Sequence, residues 1–256
     1  MAQIFETHAH YDADWFDEDR HELLQSMPEN GIGYIVNVAS NLDSLDKTVE
    51  LTKKYDFVYG SAGIHPTDSV ELTEENFYRI EETANNPKIV AIGEIGLDYY
   101  WKKPDNETQK KWFIRQLELA RKLDKPVIIH SRDASQDTLE IMKEYKDLDG
   151  VIHCFSGSLE MAREYVKMGF YIGVGGVITF KNGRKLKEVV EGIPMESIVL
   201  ETDCPYLAPV PYRGKRNSSL YIPLIVEEIA KIKGMTAEEV VAITYENAKK
   251  LYRFES

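Results

Sequence analysis

Short runs rich in Ile, Val, Phe and Tyr recur along the whole chain, at Ile4–His10, Tyr34–Ala39, Phe57–Ile64, Ile89–Ile95, Val127–His130, Gly150–Phe155, Phe170–Val174 and Ile198–Thr202. Their length and apolar, β-branched content predict buried strands. Amphipathic segments with helical spacing lie between them. In Glu107–Leu123, residues Trp112, Leu117, Leu119 and Ala120 share an apolar face, with Lys110, Lys111, Arg115, Glu118 and Arg121 outside it. Asp43–Tyr55, Thr73–Asn85, Ala134–Tyr145, Ser158–Met168 and Leu186–Glu191 have the same pattern, and Tyr221–Ile232 and Thr236–Tyr252 follow the last strand. Thr73, ahead of Glu74, Glu75 and Asn76, suits an N-cap, and Thr236 stands three before Glu239 at capping-box spacing. No Gly/Ser/Pro-rich linker interrupts the alternation, so residues 1–256 are expected to form one domain. Strands and helices alternating eight times predict a single-domain TIM (β/α)8 barrel. A doubly wound open sheet is the alternative. It usually carries a Gly-rich phosphate turn after its first strand, where this chain reads His8-Ala9-His10-Tyr11-Asp12.

Polar residues change this picture at one end of the strands. Five of the six histidines lie within or at the end of a predicted strand: His8, His10, His65, His130 and His153. Glu94 interrupts the fourth apolar run and Asp203 follows the eighth. In a barrel these positions gather at the C-terminal face, where active sites sit. His8 and His10 are two apart and project to the same side of their strand. Buried imidazoles need partners, and this number of imidazoles and carboxylates at one barrel end predicts a metal site. Strands one and eight are neighbours in a closed barrel, which groups His8, His10 and Asp203. Strands four, five and six group Glu94, His130 and His153. The partition suggests two metal ions bridged by one carboxylate, with one metal plus a general acid or base as the alternative. Cys154 and Cys204 each stand one residue beyond a proposed ligand, so alternation predicts that both face the helix layer. Two strand spacings would separate them, about 9.5 Å, too far for a disulfide.

Composition then limits the function classes. The 256 residues include 31 Lys or Arg against 43 Asp or Glu, a formal net charge of −12. That excludes a general nucleic-acid coat or a basic membrane-surface binder. No apolar run approaches the roughly 18 residues of a membrane span. The start, Met1-Ala2-Gln3-Ile4-Phe5-Glu6, has no signal-peptide pattern. With only two cysteines, a cytoplasmic location without membrane partners is expected.

Seven motifs in order make the chain resemble the TatD family of metal-dependent hydrolases and deoxyribonucleases. They are Thr7-His8-Ala9-His10, Gly63-Ile64-His65-Pro66, Gly93-Glu94-Ile95-Gly96-Leu97-Asp98-Tyr99-Tyr100, and Pro126-Val127-Ile128-Ile129-His130-Ser131-Arg132-Asp133. Further along stand His153-Cys154-Phe155-Ser156-Gly157, Glu201-Thr202-Asp203-Cys204-Pro205-Tyr206-Leu207-Ala208-Pro209 and Tyr212-Arg213-Gly214-Lys215-Arg216-Asn217. The resemblance implies a TIM barrel with two divalent metals: His8, His10 and Asp203 on one, His130 and His153 on the other, and Glu94 between them. The chain departs from the family pattern at Glu6, where Asp is frequent, and at Ser218-Ser219, where Glu-Pro is frequent. Neither departure is expected to touch a proposed ligand.

A hydroxide held between two metals suits hydrolysis of a phosphodiester, an ester or an amide. Basic residues after the strands favour phosphate. Lys102 and Lys103 follow the fourth, Lys181, Arg184 and Lys185 the seventh, and Arg213, Lys215 and Arg216 the eighth. Arg132, two beyond His130, is a candidate bidentate phosphate clamp. Asp203, Glu94 and His65 are the candidate catalytic residues; His65, outside both metal groups, is placed in substrate contact or proton transfer. Tyr99, Tyr100, Trp101 and Tyr212 can stack on bases. The expected function is a divalent-metal-dependent hydrolase, foremost an exonuclease-type deoxyribonuclease acting on single strands or ends of DNA. Opening of a small cyclic amide or ester, aminoacyl-tRNA deacylation and a non-catalytic metal-stabilised scaffold are the alternatives. Mixed imidazole and carboxylate donors admit Zn, Mn, Fe or Ni, and Mg less naturally.

Overall fold

The computed structural model describes residues 3–254. Met1, Ala2, Glu255 and Ser256, which belong to the signal-peptide reading and the 1–256 domain span, lie outside the described residues. Eight parallel strands pair in chain order in a nearly closed barrel. They are β1 (Ile4–Ala9), β2 (Ile32–Val38), β3 (Val58–Ala62), β4 (Ile89–Asp98), β5 (Val127–Arg132), β6 (Gly150–Ile152), β7 (Tyr171–Val174) and β8 (Ile198–Leu200). Each run of the apolar pattern yields one of them. Around the barrel pack α1 (Arg20–Ser26), α2 (Leu42–Lys54), α3 (Tyr78–Ala84), α4 (Asn106–Leu123), α5 (Ser135–Glu144), α6 (Leu159–Lys167), α7 (Arg184–Gly192), α8 (Ile222–Lys233) and α9 (Ala237–Leu251).

The short α1 is additional to the expected helices, because one buried residue, Leu24, gives it little apolar periodicity. The Thr236–Glu239 capping box forms as expected. Thr73 and Asn76 exchange side-chain to backbone bonds, but regular helix begins only at Tyr78. No helix among the described residues is long and apolar enough to cross a membrane.

Two apolar clusters hold the layers together. The larger one joins strand residues to the inward faces of the helices. The smaller takes Phe5, Val36, Val38, Ala91, Ile128, Val151 and Val199 from six strands and is closed by Leu251 and Tyr252; these residues fill the barrel interior. Strand alternation then carries His130, His153 and Glu201, each two residues beyond an interior position, to the barrel mouth. Register slips among the pairings include one between Ile92 and Ile95 in β4–β5 and one between Glu6 and Ala9 in β1–β2. Such irregularities re-aim side chains near active sites. Here Glu94, which would turn outward if alternation ran unbroken from Ala91, enters the mouth.

The seam between β8 and β1 has no regular ladder. One isolated bridge, Ala9 to Cys204, closes it. The Asp203 amide donates to His8 O at 3.0 Å and the His10 amide to Cys204 O at 2.8 Å. Thr7 Oγ1 donates to Leu200 O at 2.9 Å.

Candidate metal centre

The residues grouped by strand adjacency meet around one carboxylate. Glu94 Oε2 faces His8 Nε2 at 3.4 Å and His10 Nε2 at 3.6 Å. Its other oxygen, Oε1, faces His130 Nδ1 at 2.8 Å and His153 Nε2 at 3.1 Å. Asp203 Oδ1 completes the first group, 3.3 Å from His10 Nε2 and 3.7 Å from His8 Nε2. Asp203 adopts φ +56°, a left-handed conformation uncommon for a residue with a side chain and frequent at functional sites. Gly96 has φ +145°, and a Cβ there would stand 2.0 Å from His130 O. Glycine at 96 therefore lets β4 approach the backbone that carries His130.

Partners orient the rings. Val38 O can only accept, so its 2.8 Å contact puts a proton of His10 on Nδ1 and turns Nε2 toward the centre. His130 Nε2 lies 3.1 Å from Asp98 Oδ2, the carboxylate–histidine arrangement that holds metal-ligating imidazoles. Asp98 is held in turn by the amide of Tyr100, which donates to Oδ1 at 3.0 Å. Glu201 Oε1 accepts from the Cys154 amide at 2.6 Å and lies 3.5 Å from His153 Nδ1.

Burial opposes charge on all these groups, and their partners decide the balance. It lowers His8, which His153 lowers further. His65 falls to about 3 through burial and the adjacent His130. Against burial, Asp203 and Glu94 raise His10 to about 9, and Asp98 and Glu94 raise His130. Glu94 and Glu201 raise His153 well above the usual imidazole range. The surrounding imidazoles hold Glu94 far below the usual carboxylate range despite its burial, and Asp203 below it.

A proton and a cation compete for this set. The Nε2 atoms of His8 and His10 face each other at 3.1 Å, where one proton fits and two repel. A cation accepts both lone pairs at once. Two groups of three donors with converging ligand atoms, His8–His10–Glu94 and Glu94–His130–His153, share Glu94. Imidazole nitrogen with carboxylate oxygen is a donor set suited to first-row divalent ions. The residues fit a metal centre.

Other expectations are redrawn. His65 belongs to neither of these two groups, but its Nε2 is 3.7 Å from Glu94 Oε1, its ring centroid is 4.3 Å from that of His130, and Thr67 holds its Nδ1. Strand β5 does continue to Arg132, whose guanidinium stacks 3.9 Å over the Tyr100 ring on the exposed rim. Arg213 stacks over Phe180 at 4.4 Å, and Lys215 lies 6.0 Å from the Tyr212 ring centre. Arg216 is already engaged: it makes a two-pronged pair with Asp19, at 2.7 and 2.5 Å, and donates to Trp15 O. Any contact of Arg216 with phosphate would be made alongside this pair. Tyr100 and Trp101 are exposed, whereas Tyr99 donates to Asp137 and Tyr212 stacks on Tyr221. Cys204 is buried. Cys154 does not turn to the helix layer: β6 ends at Ile152, φ +45° at Cys154 breaks the alternation, and the residue lines a cavity with Asp203.

The two departures from the family pattern meet. Buried Glu6 accepts the amides of His8 (3.2 Å) and Thr202 (2.9 Å) on Oε1. On Oε2 it accepts the Thr202 hydroxyl (2.6 Å) and the Ser219 hydroxyl (2.9 Å). Ser219 is bonded to Tyr11 as well. Contrary to expectation, Glu6 therefore touches a candidate ligand through its backbone, and pins β1 to the segment that carries Asp203. Burial pushes its carboxyl up to about 8. Asp98 was the other residue missed. Its signal was present, since Glu94, Gly96 and Asp98 alternate once the strand is extended past Ile95.

The chain matches the family model described as TatD related DNase over residues 5–253. It is 44% identical over 252 residues to the uncharacterised metal-dependent hydrolase YabD of Bacillus subtilis (strain 168), covering 98% of this chain and 99% of that one. It is 34% identical over 261 residues to the uncharacterised metal-dependent hydrolase YcfH of Escherichia coli (strain K12), covering 99% and 97%. The crystal structure of the TatD homologue YJJV from Escherichia coli K12 superposes with a TM-score of 0.93 at 29% identity, covering 99% of each chain. A barrel mouth that gathers five imidazoles and shared carboxylates, and a match along nearly its whole length, make this chain a member of the TatD family of metal-dependent hydrolases.

Proposed function

We propose that the protein is a deoxyribonuclease that hydrolyses phosphodiester bonds at the ends of DNA, foremost of single strands, with two divalent cations. The observation that carries the two-metal reading is Glu94, whose two oxygens face two separate donor groups. His8, His10 and Asp203 would hold one ion, His130 and His153 the other, and Glu94 both. When bound, such ions supply activation of water and neutralisation of charge on phosphate. Asp203, whose carboxylate is kept ionised by the imidazoles around it, can orient the attacking water. His65, kept neutral by burial and the neighbouring His130, can pass a proton or touch substrate.

DNA is supported by the rim. Arg132 stands with exposed Tyr100 and Trp101 beyond His130, a cation beside stacking surfaces of the kind that holds single strands. Arg213 and Lys215 add positive charge on the loop after β8, and Arg216 holds the Trp15 loop in place. The test is incubation of the protein, loaded in turn with Zn, Mn, Mg, Fe and Ni, with end-labelled single- and double-stranded DNA, with His130→Ala as control. Metal-dependent shortening from an end, lost in the variant, is expected. Intact DNA with every metal would overturn the reading.

A further inference from the structure

Over the ends of β6, β7 and β8 lies a cavity of about 220 Å3. Phe155, Val177, Leu186 and Leu207 form its apolar wall, Asn182 stands at its edge, and Asp203 belongs to both the cavity and the candidate metal centre. We propose that this cavity receives one unstacked nucleobase of the strand whose phosphate lies at the metal centre. The inference rests on the DNA reading and adds a base-recognition site to it.

Three observations select this occupant. The shared Asp203 makes the cavity contiguous with the reacting centre, so its ligand is the neighbouring part of the same substrate. The size admits a single ring system: it is below the roughly 300–1,000 Å3 of sites for drug-sized molecules, and a base pair is excluded. The lining excludes a second phosphate. Loops after the seventh and eighth strands often bind phosphate in barrels, but here apolar side chains line the walls, and the acidic residues Glu201 and Asp203 also border the space. A flat heterocycle suits that wall, with Phe155 available for ring contact. The exposed Asn182 amide both donates and accepts, matching the polar edge of a base, and exposed Lys185 at the mouth can meet the adjoining backbone.

The experiment compares kcat/KM of the metal-loaded enzyme on an end-labelled single strand and on the same strand whose terminal nucleotide lacks its base. Wild type is expected to prefer the complete strand by at least tenfold. Val177→Trp, which fills the cavity, should bring the ratio close to one, and Asn182→Ala should lower it severalfold. Should Val177→Trp fail to fold, Leu207→Trp, at a position 38% exposed, serves in its place. Equal rates on the two strands in wild type, or an undiminished preference in the filled variants, would overturn the proposal. If neither strand is cleaved, the nuclease reading fails and the cavity is tested by titration alone. A deoxynucleoside monophosphate should then bind at least tenfold more tightly than deoxyribose 5-phosphate, a difference lost in the filled variant, and equal binding refutes the site.

Discussion

Replacing Glu6 by Ala tests how far the barrel seam depends on one side chain. Four groups bond to this carboxyl: the amides of His8 and Thr202 and the hydroxyls of Thr202 and Ser219. All lie in a fully buried environment. A buried polar group left without its partner costs about 1–3 kcal/mol. Water entering the vacated space would offset part of this, so the low end applies to each, and Glu6→Ala should destabilise the protein by about 4 kcal/mol. For a chain of this size about 2–4 °C of melting temperature accompanies each kcal/mol, so Tm should fall by about 10 °C. Glu6→Gln keeps an acceptor for both amides and should lose about half as much. Urea unfolding followed by circular dichroism, with chelator present so that metal linkage does not contribute, gives the midpoints. A Glu6→Ala midpoint within about 1 kcal/mol of wild type at unchanged slope would show that the seam holds without the carboxylate.

Other outcomes follow from the same geometry. Glu94→Gln should weaken both metal equivalents more than tenfold in competition titrations against a chelator, because one carboxylate faces both donor groups; two tight equivalents in the variant would refute the shared role. Asp98→Asn removes the carboxylate behind His130 and should lower metal affinity by about 10–100-fold, read in the same titration, with secondary structure unchanged. Divalent metal at about 100 times its dissociation constant should stabilise the fold by about 2.7 kcal/mol, an increase of about 5–10 °C in Tm that thermal scanning would detect. Arg132→Ala should raise KM for DNA severalfold. Arg216→Ala should lower Tm instead with a smaller effect on KM, since its guanidinium is paired with Asp19.

The fold was legible because buried parallel strands read as apolar runs, and five of six histidines stood out against them. His8, His10, Glu94, His130, His153 and Asp203 could be grouped by strand adjacency alone. What stayed hidden depended on local departures from ideal strands. Asp98 was missed because β4 outruns its apolar pattern, so the carboxylate looked like a loop residue. Cys154 was misplaced because a single left-handed residue reverses the side that alternation assigns. Glu6 reads as an ordinary charge in sequence, since its partners Thr202 and Ser219 lie about 200 positions away. Arg216 looked free because its partner, Asp19, belongs to a loop that no periodicity connects to it.

The weak seam also sets a timetable. His8 and His10 are made near the start of synthesis, yet Asp203, the Thr202 amide and the Ser219 hydroxyl that fix their strand come about 200 residues later. Contacts so distant along the chain form late in folding. Until then β1 carries two exposed imidazoles with neither their third donor nor the closing strand. A growing chain would therefore hold an open, unmatched edge, and the metal assigned to His8, His10 and Asp203 would be bound tightly only once the barrel has become a ring.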